Sequence, residues 1–290
     1  MKKKIVFEGV GTAIITPFKD NYTVDFDELG KIVEYQIESG VDSIVVCGTT
    51  GEASTMPDAE HLSVVKYVID KVGGRIPVIA GVGSNHTSHA IELSKKAEEY
   101  GADALLHVTP YYNKTSQKGL IAHFTAIAEA VKLPIILYNV TSRTGMTIAP
   151  ETYKELSKIP NIVATKEASG NMTAIATAMS LCGEDLEFYS GNDDQIVPIM
   201  ALGARGVISV LSNVKPKETA EMAHSALEGD FKRAARLQVE MMPLINALFC
   251  DVNPIPVKEA MNILGFNAGK CRLPLCELDE AKKELLKGLL

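Results

Sequence analysis

A closed eight-stranded parallel α/β barrel with a helical carboxy-terminal extension is the fold class this 290-residue sequence predicts, and three observations carry it. Short apolar runs recur along the first two thirds of the chain, each closed by Gly, Pro, Ser, Thr or Asn and each followed by a segment of helical period. Eight such βα units fit before residue 225, beyond which only helical patterns remain. No G-x-G-x-x-G turn opens any helix, so a (β/α)8 TIM barrel suits the pattern better than a doubly wound sheet. The expected division is a barrel over 1–225 and a helical extension over 226–290.

The first strand is expected over 10–16, ended by Pro17; Asp25 then opens a helix that buries Leu29, Ile32, Val33 and Ile37 and stops at Gly40. A second strand over 43–47 leads into Gly48-Thr49-Thr50-Gly51-Glu52 and a helix over 58–72, with Asp58 as its cap. The third strand covers 77–81, and the turn Gly83-Ser84-Asn85-His86-Thr87 enters a helix that ends near Tyr100. The fourth covers 104–109, followed by Pro110-Tyr111-Tyr112-Asn113-Lys114 and a helix over 116–131. The fifth covers 134–138; residues 139–145 form a loop, and a helix begins near Pro150. The sixth delivers Lys166 and is followed by a helix over 171–182. A short seventh strand over 187–190 precedes Gly191 and a helix from Gln195 to Gly203, and the eighth covers 206–210. Helices over 231–249, 254–264 and 279–289 make up the extension.

Composition bounds what the chain does. Hydrophobic residues at 46% and charged residues at 22% supply a large core and leave no tract for disorder. A net charge of -7 argues against nucleic acid or an anionic membrane as the main partner. The Met1-Lys2-Lys3-Lys4 start reads as a solvated terminus; with no signal core and no run of about 20 apolar residues, a cytoplasmic location is expected. The five cysteines are scattered, without Cys-x-x-Cys spacing, and are expected to be reduced. His86 and His89 share a helix face but have no third ligand nearby, so no metal site is expected.

In such barrels the chemistry sits at the carboxyl ends of the strands. There the sequence places Thr49 and Thr50, Tyr111 and Tyr112, Tyr138 and Arg143, Lys166, Gly191, and the main chain near Ile208. Lys166 is the only lysine that closes an apolar strand. A desolvated amine condenses with a keto group to form an iminium, an electron sink that acidifies the neighbouring carbon. Tyr138 ends the adjacent strand and can shuttle the proton this requires; Thr49 and Thr50 can relay it. Gly48 and Gly51 let backbone N–H groups approach a carboxylate, and Arg143 offers a fork for a second. Each residue has a plainer reading: Lys166 snorkelling or paired with Glu167, Tyr138 as packing, the threonines as turn residues, Arg143 as surface. Glu52 reads as support for a helix start, Asp193 and Asp194 as caps, and Met222, Met241, Met242 and Met261 as core. Convergence of a lysine, a phenol, hydroxyls and an arginine on one rim favours chemistry.

Gly48-Thr49-Thr50-Gly51-Glu52, Pro110-Tyr111-Tyr112-Asn113, Tyr138-Asn139, Ser142-Arg143-Thr144-Gly145 and Thr165-Lys166-Glu167 with Ser169-Gly170 together resemble the dihydrodipicolinate synthases, also called 4-hydroxy-tetrahydrodipicolinate synthases, in order and spacing almost end to end. The resemblance implies a lyase that condenses pyruvate with aspartate 4-semialdehyde on the diaminopimelate route to lysine, with no metal or organic cofactor. It implies Lys166 as the Schiff-base residue, Tyr138 as proton donor and acceptor, and Thr49 and Tyr112 as a relay, Tyr112 coming across a subunit interface of a homotetramer. It assigns pyruvate to Thr50 and the Ile208 main chain beside Gly191, and the aldehyde's carboxylate to Arg143. Two departures stand out. Thr141 replaces a proline common in the family. At the lysine feedback site His61, Asn85 and Tyr111 fit, but Ala53, Asp58 and His89 replace serine, histidine and glutamate, so weak or absent inhibition by lysine is expected. The rivals are a sugar-acid lyase sharing Lys166 and Tyr138, which Arg143 disfavours, and a non-catalytic barrel that binds small acids.

Overall fold

The computed structural model describes residues 3–290. Its strands are β1 (Gly9–Ala13), β2 (Ser43–Val46), β3 (Val78–Gly81), β4 (Ala104–Val108), β5 (Ile135–Asn139), β6 (Ile162–Glu167), β7 (Glu187–Ser190) and β8 (Gly206–Ser209). All pair in parallel in chain order, and β8 pairs back onto β1 with Ile208 opposite Gly11, closing the predicted (β/α)8 barrel. Period-two alternation sends Val45, Ile79, Leu106, Ile136 and Ile208 into the barrel, while Ile44, Val46, Ala80, Leu105 and Leu137 face the helices.

The helices are α1 (Phe26–Glu38), α2 (Asp58–Val72), α3 (Thr87–Tyr100), α4 (Gln117–Ala130), the single turn α5 (Thr141–Thr144), α6 (Pro150–Leu156), α7 (Met172–Cys182), α8 (Ile196–Ala201), α9 (Pro216–Leu227), α10 (Phe231–Leu248), α11 (Ile255–Ile263) and α12 (Glu280–Lys287). Asp25 caps α1 as expected, its carboxylate accepting the Glu28 N–H at 3.0 Å, a cap of about 1 kcal/mol. Helix α9 runs across residue 225, so the expected boundary falls within an element rather than between two.

Several expectations need correction. The first strand ends at Ala13, not residue 16, because the chain beyond it turns to other partners: Ile15 N–H donates to Asn213 Oδ1 and Thr16 Oγ1 to the Gly51 carbonyl. The stretch 139–145 contains the turn α5, which Gly145 ends at φ 67°. The helix expected from 195 to 203 is only α8, preceded by a tight turn over Asp193–Gln195. Asp58 begins α2 without capping it; Pro57 holds the cap position and the Asp58 carboxylate turns to His89. Nor is the amino terminus simply solvated. Met1 and Lys2 lie outside the described residues, while the Lys3 ammonium donates to the carbonyls of Ser157, Ile159 and Ile162, and burial pushes its pKa below the ordinary value. Among the described residues no helix is long and apolar enough to cross a membrane.

Candidate active site

Strand register builds the centre. Tyr138 on β5 is the register partner of Lys166 on β6, so alternation points both side chains into the barrel mouth. The Lys166 Nζ lies 4.4 Å from the centroid of the Tyr138 ring. Lys166 is 5% exposed and Tyr138 8%, which removes the reading of a lysine snorkelling into solvent. Pairing with Glu167 is removed too. That residue points to the other face of β6, where its carboxylate accepts from the Tyr153 hydroxyl at 2.7 Å, Asn139 Nδ2 at 3.1 Å and the Ser169 N–H at 2.9 Å. Burial and the neighbouring carboxylate push the Tyr153 phenol well above its ordinary pKa, so it serves as a fixed donor. Among the described residues Lys166 makes no ion pair.

Beside Tyr138 opens a cavity of about 490 Å³ lined by Thr49, Tyr111, Tyr138, Val140 and Arg143, and extending to Ala53, Asp58, His61, Ser84 and His89. Lys166, Thr50, Ile208 and Gly191 are not among its lining residues; Lys166 is linked to it through the Tyr138 ring, which lines the cavity and lies 4.4 Å from Nζ. Gly191 lies directly against the lysine. A Cβ at that position would meet Lys166 Cγ at 3.0 Å and Ala168 Cβ at 2.7 Å, so the β7 turn approaches the lysine stem only as glycine. Thr50 is buried, its hydroxyl accepting from Asn253 Nδ2 at 3.0 Å. Arg143, exposed at the rim, donates from Nη2 to the Asn253 carbonyl at 3.0 Å. Ile208 is fully buried in β8.

Tyr112 is the predicted site residue that this chain turns outward into solvent: it is 94% exposed. The Asn113 N–H donates to the Tyr111 carbonyl at 2.8 Å, closing a γ-turn over Tyr112 at φ 66°, the rarer and more strained of the two γ forms. Asn85 secures the turn, donating to the Tyr111 carbonyl at 3.1 Å and accepting on its own carbonyl from Asn113 at 3.0 Å. The structure spends strain to hold Tyr112 outward, while Tyr111, also exposed, lines the cavity.

Three carboxylates and a lysine take places that sequence reasoning did not assign. Glu52 stands at the start of the single turn Ala53–Thr55, but its carboxylate caps nothing there; it is buried and paired with Lys258 at 2.7 Å. Asp193 caps no helix of its own but reaches to β8, accepting from the Ser209 hydroxyl at 2.5 Å and the N–H groups of Val210 and Leu211 at 3.0 and 2.9 Å. Burial raises its pKa, against those hydrogen bonds and the nearby Lys166, which lower it. Asp58 accepts His89 Nε2 on both oxygens at 3.0 Å. A signal for Lys258 existed: with Glu259 it interrupts the otherwise apolar stretch 255–261. Among the described residues no group of three or more His, Cys, Asp or Glu is placed to hold a metal ion.

Residues 6–290 match the Dihydrodipicolinate synthetase family. A 4-hydroxy-tetrahydrodipicolinate synthase of Caldicellulosiruptor saccharolyticus is 61% identical over 285 residues, covering 98% of this chain and 96% of that protein. The solved structure of the chloride-inhibited dihydrodipicolinate synthase from Acinetobacter baumannii complexed with pyruvate is 44% identical, with a TM-score of 0.96 and 98% of each chain covered. A solved monomeric dihydrodipicolinate synthase variant is 41% identical, with a TM-score of 0.96, covering 98% of this chain and 96% of that one. With its barrel, its buried lysine beside a phenol and these likenesses across nearly its whole length, the chain belongs to the dihydrodipicolinate synthetase family.

Proposed function

We propose that the chain is a 4-hydroxy-tetrahydrodipicolinate synthase, a lyase condensing pyruvate with L-aspartate 4-semialdehyde through a Schiff base on Lys166. The observation that carries the reading is the buried Lys166 amine stacked 4.4 Å from the Tyr138 ring centre, at paired ends of β5 and β6.

The neutral amine attacks the keto carbon of pyruvate, whose oxygen takes a proton and leaves as water, giving an iminium. A proton then leaves the methyl carbon and the electrons collect as an enamine. That carbon attacks the aldehyde of the second substrate, and the resulting alkoxide takes a proton. The amino group of the second substrate displaces Lys166 at the former keto carbon, closing the ring and freeing the lysine. Every step moves a proton, and Tyr138 is the group beside the lysine that gives and takes it. Thr49, which lines the cavity, continues the relay toward Tyr112. Thr50 and the Ile208 main chain hold the pyruvate carboxylate beside Gly191, and Arg143 at the rim takes the carboxylate of the aldehyde.

Tyr112 completes the relay in a second copy of the chain, and the working form is a homotetramer built as a dimer of dimers in the cytoplasm; an exposed phenol on a strained turn supports this. Feedback by lysine is weak or absent, because His89 occupies Asp58, the one carboxylate among the lining residues of the cavity. We read the chain as a catalytic barrel and a carboxy-terminal extension, with the junction moved from the expected 225 to the turn between α9 and α10.

Incubating the protein with pyruvate and borohydride tests the reading. A pyruvate-sized mass increment, absent from Lys166→Ala, is expected; no increment on the native chain overturns it. Turnover with aspartate semialdehyde and not with neuraminate separates it from a sugar-acid lyase.

A further inference from the structure

The carboxy-terminal extension grips the mouth of the barrel at three points from one short stretch, 253–258. Lys258, 1% exposed, donates from Nζ to Glu52 Oε1 at 2.7 Å and to the Lys270 carbonyl at 3.0 Å. The second oxygen of Glu52 accepts the Arg272 N–H at 2.9 Å. Both cations lie against one ring: Lys258 Nζ is 4.0 Å and the Arg272 guanidinium carbon 4.1 Å from the centroid of Phe18. Asn253, just before α11, donates to the Thr50 hydroxyl and offers its carbonyl to Arg143.

The gripped loop is one that needs holding. Glu52 at φ 56° and Cys47 at φ 54° bound it, two residues other than glycine in the left-handed region. Such conformations persist where the surroundings over-determine them. On the Cys47 side this is done by close approach: a Cβ on Gly81 would sit 2.3 Å from the Cys47 carbonyl oxygen. On the Glu52 side it is done by the extension. An apolar pair at 52 and 258 would anchor the extension as firmly, since a buried ion pair holds little stability advantage over a well-packed apolar replacement. What the ion pair and the Asn253 amide add is direction, through hydrogen bonds of set length to two residues of the Thr49–Thr50 loop.

We propose that Lys258, acting through Glu52, and Asn253, acting through Thr50, are positioning residues that set the loop for the carboxylate of the keto acid. The proposal rests on the reading of Thr50 as a pyruvate-binding residue. It makes the extension part of the catalytic apparatus rather than a cover for the barrel.

The test compares Thr50→Val, Asn253→Ala and the double variant Glu52→Gln/Lys258→Met, following melting temperature, KM for each substrate and kcat. The double variant removes both charges together, so neither remains buried alone, and glutamine keeps an acceptor for the Arg272 N–H. Asn253→Ala and the double variant are expected to raise KM for pyruvate roughly tenfold, the worth of one ordinary hydrogen bond. Saturated kcat and KM for the aldehyde should stay close to native, because alanine at 253 keeps the carbonyl that Arg143 uses. Unchanged KM for pyruvate in Asn253→Ala and in a folded double variant, with Thr50→Val impaired, overturns the proposal alone. Should the double variant not fold, Asn253→Ala, which removes only one side-chain amide, decides by the same criterion. Unchanged KM in Thr50→Val overturns the assignment of Thr50 itself, and the positioning claim with it.

Discussion

The amine of Lys166 and the ring of Tyr138 meet face to centre at 4.4 Å because a single register pair places them at the same height on neighbouring strands. Under the proposed mechanism, bond formation and proton transfer fall to two groups whose backbones are fixed by the same ladder of hydrogen bonds. Tyr138→Phe keeps the packing and loses only the hydroxyl. Its kcat should fall by roughly 10²- to 10⁴-fold, the usual worth of a general acid–base group, with little change in melting temperature. Steady-state kinetics and thermal unfolding on one preparation check this.

Arg143→Ala separates the two substrates. The guanidinium stands at the rim, so its loss should lower kcat/KM for aspartate semialdehyde about 10- to 100-fold, as for a charge-assisted hydrogen bond to a carboxylate. The rate of pyruvate trapping by borohydride should stay at the native value. A parallel loss in trapping would place Arg143 at the first substrate instead.

Stability should fall in mild acid, because three buried imidazoles, His61, His107 and His123, have pKa values lowered by burial, and the last two set the window. Burial, with His123 close by, pushes the pKa of His107 from 6.5 down to about 3, and burial pushes that of His123 from 6.5 down to about 4. The unfolded chain takes up these protons near pH 6.5 while the folded chain refuses them until pH 4 or below. Their contribution is therefore complete above pH 6.5 and lost as pH falls from there through about 4 toward 3. His224, raised by its hydrogen bond to Asp42, works in the opposite sense but is partly exposed. Urea unfolding at pH 7.5, 6 and 5 should show a falling midpoint, and His107→Leu should flatten the fall.

Free lysine should inhibit weakly. His89 already bonds both oxygens of Asp58, so an arriving ammonium has to break that pair before it gains a carboxylate. Half-inhibition at sub-millimolar lysine in a coupled assay would show that the pair opens at little cost.

Tyr112→Phe should lower kcat without changing KM for pyruvate or the melting temperature of the isolated chain. Activity per chain should also decline on dilution, in step with dissociation measured by sedimentation. Full specific activity in a monomeric fraction would remove Tyr112 from the reaction.

Much of the site was legible in the sequence because its residues interrupt a pattern. Lys166 breaks an apolar run, and Tyr138 ends the neighbouring one, so strand order alone brings them together. What escaped depends on distant partners or on turns too short to carry a period. Glu52 and Lys258 are 206 positions apart, and a glutamate after a strand looks the same whether it steadies a helix or enters a buried pair. Asp193 resembles a cap until β8 brings Ser209 and the Val210 N–H to it. The four residues of α5 are one turn, below what periodicity can register. The outward aim of Tyr112 follows from a positive φ that Pro110-Tyr111-Tyr112-Asn113 does not dictate. The first strand is shorter than its apolar pattern because Ile14 makes a last bond to the Val45 carbonyl and Ile15 then turns its N–H to Asn213, while both side chains continue the apolar run.

Gly191 carries a lesson for anyone redesigning this mouth. The room a methyl group would need there is already claimed by the methylenes of Lys166 and the Cβ of Ala168. A library randomised at that codon should return glycine almost alone, while the rim around Arg143 accepts diversity. New aldehydes can be courted from the outside; the wall behind the nucleophile is not negotiable.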